Sequence, residues 1–252
     1  MDAPAPACND NCITELTITI LYDNNPCLAD LEAQWGFSAL INGPEETILF
    51  DTGGADLLMH NMQKLHIDPR TIDAVVLSHF HWDHTGGLDA FLSANPNVRV
   101  YAPASFPREI KDLVRSRRAV LHLVDRPAKI CASVHSTGEL AGPIPEQSLG
   151  IRSARGLIVL TGCAHPGIAD IIEKAGSLWP DRILLAMGGF HLKADTETRI
   201  ERVIAAFKEM NVRYVAATHC TGPTARQLFQ NRYGPHWIPA GLGSRIRLSD
   251  LK

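Results

Sequence analysis

The apolar run Ala74-Val75-Val76-Leu77 leads without a break into Ser78-His79-Phe80-His81-Trp82-Asp83-His84-Thr85-Gly86-Gly87. A strand that ends in three histidines and an aspartate within six positions has to finish at an edge of the fold where polar side chains can meet. In extended chain, residues two apart share a face, so His79 and His81 reach one cation from the same side. If the chain turns after Trp82 and starts a helix near Thr85, Asp83 and His84 point back across the same cavity and serve a second cation. Four ligand-type residues packed behind one buried strand are more than a surface or core histidine requires. Imidazole and carboxylate suit zinc, iron, manganese and nickel alike, so ligand type does not name the metal.

The rest of the chain supplies layers to carry such an edge. Strand-like runs occur at 13–22, 37–41, 47–50 and 74–77, with a helical pattern over 55–65. The second half alternates more strictly: strand 157–160, helix 168–175, strand 183–186, helix 199–210, strand 214–217, helix 225–233. Strand-rich segments joined to βα alternation predict an α/β protein of two mixed sheets packed together, with helices on the outer faces. The chain has 252 residues, 45% of them hydrophobic, which is ample for one core. No linker or repeat divides it, so we expect one domain over 1–252, with 1–12 as a loose leader. Each strand of the second half ends in histidine beside glycine: Thr161-Gly162-Cys163-Ala164-His165, Gly188-Gly189-Phe190-His191 and Thr218-His219-Cys220-Thr221-Gly222. Functional groups in α/β sheets gather at carboxyl ends of strands.

The pattern His79-x-His81-x-Asp83-His84 with Thr85-Gly86-Gly87, preceded by Phe50-Asp51-Thr52-Gly53, resembles the metallo-β-lactamase fold superfamily. Together with Pro145-Glu146-Gln147-Ser148-Leu149 and the three later blocks, it is similar to the branch that includes the dihydropterin synthase-like enzymes of methanopterin biosynthesis. The resemblance runs from about Leu16 to Leu248. It implies an αββα sandwich with a dinuclear metal site at one edge, and it makes His219 the late histidine ligand. The Thr-Gly-Cys block stands where many relatives have Thr-Gly-Asp, so either Cys163 as a thiolate or His165 completes the shell. The superfamily's usual third histidine has no clear counterpart; His135 is poorly spaced for it, and Glu146 is a candidate substitute or substrate-binding group. Asp51 is expected to orient a ligand histidine, and His191 to donate to a substrate oxyanion or phosphate.

On this reading His79, His81 and His165 hold one ion, and Asp83, His84 and His219 the other, with zinc placed first and iron, manganese or nickel as alternatives. Metal-activated water would then attack an ester, lactone or phosphoester, with Asp83 available to take a proton. A group transfer onto an aminobenzene ribose phosphate is the rival enzyme reading, and a non-catalytic metal or ligand binder the rival of another class. The expected partner is a small molecule, anionic or phosphorylated. A net charge of −3 gives no field for holding nucleic acid. No apolar run approaches the roughly 18 to 20 residues of a membrane span, so no membrane partner is expected. Six scattered cysteines argue for reduced thiols and a cytoplasmic address. Cys220 is expected to turn from the site into the core, as are Trp35, Trp179 and Trp237. The basic run Arg108, Lys111, Arg115, Arg117 and Arg118 reads as a solvated helix face.

Overall fold

Strict alternation decides which layer each side chain enters. Along Thr47–Phe50, Ile48 and Phe50 point into one apolar cluster and Leu49 into another; in the second half Ile158 and Leu160 are separated in the same way from Leu157 and Val159. Two sheets therefore share an inner core and each covers a second core with helices, which is the αββα sandwich expected. The structure is a computed structural model describing residues 12–252. The expected leader lies outside these residues except for Cys12.

The first six strands are β1 (Thr17–Tyr22), β2 (Ser38–Asn42), β3 (Thr47–Phe50), β4 (Ala74–Val76), β5 (Arg99–Pro103) and β6 (Val120–Val124). They are followed by β7 (Ala128–Lys129), β8 (Val134–Ser136), β9 (Leu149–Ser153), β10 (Gly156–Thr161), β11 (Ile183–Gly189), β12 (Tyr214–Thr218) and β13 (Arg245–Arg247). One sheet runs β13-β1-β2-β3-β4-β5-β6 and the other β12-β11-β10-β9-β8-β7. Both are mixed: β3 to β6 are parallel neighbours, as are β10 to β12, and the remaining pairs are antiparallel.

Helices α1 (Leu57–Lys64), α2 (Trp82–Thr85), α3 (Leu88–Ala94) and α4 (Arg108–Ser116) accompany the first sheet. Helices α5 (Ile168–Leu178), α6 (Glu197–Glu209) and α7 (Pro223–Tyr233) cover the second, where Ile171, Ile204 and Phe229 pack over Val159 and Val215. A fully buried side chain of this size contributes about 1.5–3 kcal/mol. Among the described residues no helix is long and apolar enough to cross a membrane.

Strands β5 to β9 carry little period-two signal. In β6, Val120 and Leu123 are exposed at the sheet edge, so apolar residues there mark no inner face. The thiols also depart in part from expectation. Cys27, Cys131, Cys163 and Cys220 are free, but Cys12 is disulfide-bonded.

Candidate metal centre

Two parallel runs, β3–β4 and β10–β12, point their carboxyl ends at one edge of the sandwich. The loop after β4 places His79, His81, Asp83 and His84; the loops after β10 and β12 place Cys163, His165 and His219 opposite them. Nitrogens of His79, His81 and His165 fall within 4.8 Å of one another, and so do ligand atoms of Asp83, His84 and His219. These are the two triads expected from the sequence. His81 caps the short helix α2 in extended geometry, so the chain changes direction between the two halves of the cluster; the turn comes one residue earlier than expected, and the helix ends at Thr85 where it was expected to start.

The outer ring nitrogens decide what the inner ones can do. His84 Nδ1 lies 2.7 Å from Asp51 Oδ2, and His165 Nδ1 lies 2.9 Å from Glu146 Oε2; both carboxylates accept the ring proton. His79 Nδ1 lies 2.9 Å from Ser78 Oγ, whose hydroxyl is already donated to Asp51 Oδ2 at 2.6 Å, so Ser78 accepts from His79. His219 Nδ1 lies 2.8 Å from Asn24 Oδ1, while Asn24 Nδ2 donates to the His219 carbonyl. With the Nδ1 protons of His84 and His219 directed to Asp51 and Asn24, their Nε2 atoms face each other at 3.2 Å as two lone pairs. Likewise His79 Nε2 stands 3.1 Å from His81 Nδ1. Converging lone pairs in a buried pocket repel unless a cation lies between them, so this donor set fits divalent metal.

The charges agree. Burial pushes His84 down to about 3, helped by His219, so its imidazole is neutral and free to ligate. His79 is also driven well down by burial and the neighbouring His84. Burial would raise the Asp83 carboxyl, but the imidazoles of His219 and His84, 3.4 and 3.6 Å from its Oδ2, hold it well below the usual carboxylate range. The nearby Asp83 carboxylate in turn raises His219 against the effect of burial. Asp51 is pushed by burial up to about 7, with His79 and Ser78 opposing.

The backbone is strained here. Asp51, Ala164, His191 and His219 are four of the seven described non-glycine residues at positive φ. Such conformations cost on the order of 1–3 kcal/mol each and persist only where the surroundings impose them. Gly162 admits Ser78 to the centre, since a Cβ there would lie 2.1 Å from Ser78 Oγ.

Several expectations need correction. Glu146 neither touches substrate nor replaces a histidine ligand: it is fully buried, and its oxygens accept from the backbone N–H groups of Cys163, Ala164 and His165 as well as from His165 Nδ1. It ties down the loop that carries two site residues. Its carboxyl is held well below the ordinary range, burial being outweighed by the His165 bond, the neighbouring His79 imidazole and these amides. The third imidazole beside His79 and His81 is His165, while His135 packs at 5.8 Å from the Trp179 ring.

Cys220 does not face away. The strand stops at Thr218 and a 3₁₀ turn begins, so two-residue alternation no longer applies, and Cys220 joins Cys163 and His191 within 4.8 Å. Trp35 is only half buried and lies 4.8 Å from the His219 ring instead of in the core. Cys163 Sγ lies 3.2 Å from His84 Nε2, near both triads. His191 is exposed, its ring 4.4 Å from that of His165, as suits a group that meets substrate. Phe80 and Trp82, between the ligands, are exposed on the rim.

The supporting residues Ser78 and Asn24 were not foreseen. Asp23-Asn24-Asn25 after the apolar end of β1 carried the same signal as the blocks that were used, namely polar residues at a strand's carboxyl end.

Comparison with known proteins gives concordant results. A family model described as the metallo-beta-lactamase superfamily matches residues 36–167. The chain is 28% identical over 251 residues to the 7,8-dihydropterin-6-methyl-4-(beta-D-ribofuranosyl)-aminobenzene-5'-phosphate synthase of Methanocaldococcus jannaschii, covering 80% of this chain and 85% of that protein. A crystal structure described as a metal-dependent hydrolase of the beta-lactamase superfamily superposes with a TM-score of 0.77 at 26% identity, over 92% of this chain and 98% of the other. A diphosphatase from the PhnP family shares the fold at a TM-score of 0.63 and 15% identity, over 94% and 98% of the two chains.

Proposed function

This chain belongs to the metallo-beta-lactamase superfamily, and we propose that it is a metal-dependent hydrolase of a small ester, lactone or phosphoester, with His79, His81 and His165 holding one divalent ion and Asp83, His84 and His219 another. The observation that carries this reading is the 3.2 Å approach of the His84 and His219 Nε2 lone pairs, each fixed by an acceptor on its Nδ1. Zinc suits the set best, with iron, manganese and nickel as competitors. Bound ions supply an attacking water of lowered pKa, from 15.7 toward about 7, and polarise the bond under attack.

The chain's own groups do the rest. Asp83 Oδ2 lies 3.6 Å from His84 Nε2 and 3.4 Å from His219 Nε2, and stays ionised at neutral pH, so it can take a proton from the attacking water. His191 is raised by its hydrogen bond to Cys220 and faces solvent, which suits it to donate to the developing oxyanion or leaving group. Asp51, Ser78, Glu146 and Asn24 hold the rings at one tautomer. The substrate is a small molecule, and neither nucleic acid nor a membrane is part of this reading; a cytoplasmic address goes with it.

The test is turnover of ester, lactone and phosphodiester substrates by metal-loaded protein and its His81→Ala variant. Full activity in the metal-loaded variant would contradict the proposal. A second reading is supported by the M. jannaschii relative: group transfer joining a dihydropterin methyl group to an aminobenzene ribose phosphate. Release of diphosphate only when both substrates are present would favour it over hydrolysis.

A further inference from the structure

Cys220 is a buried thiol that the reaction above does not use. Its Sγ, that of Cys163 and a ring nitrogen of His191 lie within 4.8 Å of one another, beside the two His/Asp triads and separate from them in Cys220 and His191. The backbone builds this arrangement from three loops, those after β10, β11 and β12. Cys220 Sγ accepts the His191 backbone N–H at 3.3 Å and lies 3.6 Å from the Cys163 carbonyl oxygen. It fits because residue 189 has no side chain: a Cβ there would lie 2.7 Å from that sulfur. Both sulfurs are nearly closed off, at 3% and 4% residue exposure, while His191 faces solvent.

A cavity of ≈ 350 Å³ lined by Trp35, His191, Lys193, Ala194 and Cys220 opens onto the group. It provides an entry path and leaves one side of the cluster without protein ligand. Two sulfurs and one imidazole form a soft set that prefers zinc to magnesium, calcium or manganese. Three protein ligands with a fourth position open to a cavity is the arrangement of a zinc site able to take a further ligand.

We propose that Cys163, His191 and Cys220 bind a third, thiolate-preferring divalent ion, zinc foremost, with its open position facing the Trp35–Lys193 cavity. Cys163 Sγ, 3.2 Å from His84 Nε2, links this site to the neighbouring pair. The site goes beyond the hydrolase reading and fills whether or not the protein turns over any ester; with the ion bound, His191 ligates through one ring nitrogen and offers substrate a hydrogen bond from the N–H of the other instead of a titrating proton.

The test is metal stoichiometry of the full chain, stripped of metal, kept reduced, reloaded with zinc and desalted. The wild type is expected to retain three equivalents, and Cys220→Ala and His191→Ala two each. In cobalt-loaded protein, thiolate-to-cobalt charge-transfer absorption should fall at least twofold in Cys220→Ala, while the ligand-field bands of the histidine-rich sites persist. Only two equivalents in wild type, or three retained in Cys220→Ala, would overturn the proposal. So would formation of a Cys163–Cys220 disulfide when zinc-loaded protein in excess zinc is exposed to dioxygen, which takes up the two electrons. Should Cys220→Ala fail to fold, the wild-type count and His191→Ala decide. A single equivalent that vanishes with Cys220 would keep this site and sink the histidine pair, so the two readings fail separately.

Discussion

The first sheet delivers its metal-facing groups from a single loop, whereas the second delivers them from three. After β4, four candidate ligands lie within six residues, and the pleat plus one turn sorts them between two triads. After β10, β11 and β12, the groups arrive one loop at a time, and their mutual positions depend on strand register and on what anchors each loop. The anchors differ accordingly. The first loop is held by Asp51, which accepts from Ser78 N–H, Ser78 O–H and His84 Nδ1. The second side needs Glu146 for the Cys163–His165 loop and Asn24, 195 residues away in sequence, for His219. A compact loop carries its geometry locally, while a dispersed set requires a separate buried partner for each member.

This contrast can be tested from its strongest point downward. Removing His81 from the compact loop should reduce metal-dependent turnover to background while the far-ultraviolet circular dichroism stays native, because His81 is only half buried. Next in size is Glu146→Ala, which strands three backbone N–H groups and the His165 ring in a dry interior. It should cost about 3–5 kcal/mol in urea unfolding and loosen metal at the His79/His81/His165 triad. If unfolding is unchanged, the second sheet's loops are self-supporting and the contrast is wrong. Asn24→Ala should weaken metal binding at the Asp83/His84/His219 triad about 10–100-fold in competition titrations, with little loss of stability, since it removes one partially exposed orienting contact.

Acid should separate the two triads. Protons compete with metal for imidazole, and His219 is raised by Asp83, whereas His79 and His81 are lowered chiefly by burial. As pH falls, His219 takes a proton first, so the ion beside Asp83 and His84 should leave at a higher pH than the ion beside His79. A cobalt-loaded sample titrated from pH 8 to 5 would show two steps in that order, and a reversed order would refute the assignment. Smallest of all, Arg108→Ala or Arg115→Ala on α4 should change stability by less than about 0.5 kcal/mol and leave turnover alone. Among the described residues, their ion pairs are exposed ones to Asp112, one helical turn away.

Legibility followed the same division. The helix over 57–64 was readable because its apolar residues recur at helical spacing, and the strands at 47–50, 74–76, 156–161, 183–189 and 214–218 because each is a short apolar run buried on both faces. The exposed edge strand β6 and the two-residue β7 were not, because neither has a fully buried face to impose alternation. In the site, His79 to His84 could be placed from spacing alone, and Asp51 from the resemblance of Phe50-Asp51-Thr52-Gly53 to the superfamily's second motif. Glu146 was assigned to substrate because nothing local shows that its carboxylate turns inward to collect amides from residues 17 to 19 positions later. Cys220 was turned away from the site because alternation was extended two residues past the true end of β12.

The order of apolar runs and the polar residues that close them determined two layers, their helices and half of a metal centre, because strand pleat and turn geometry act over a few residues. The sequence does not contain the distance between His84 and His219, or the way Asn24, Glu146 and Cys220 point. Those were decided when two sheets packed on a shared core and brought separate strand ends to one edge, where unpaired lone pairs and buried charges had to find partners across the chain.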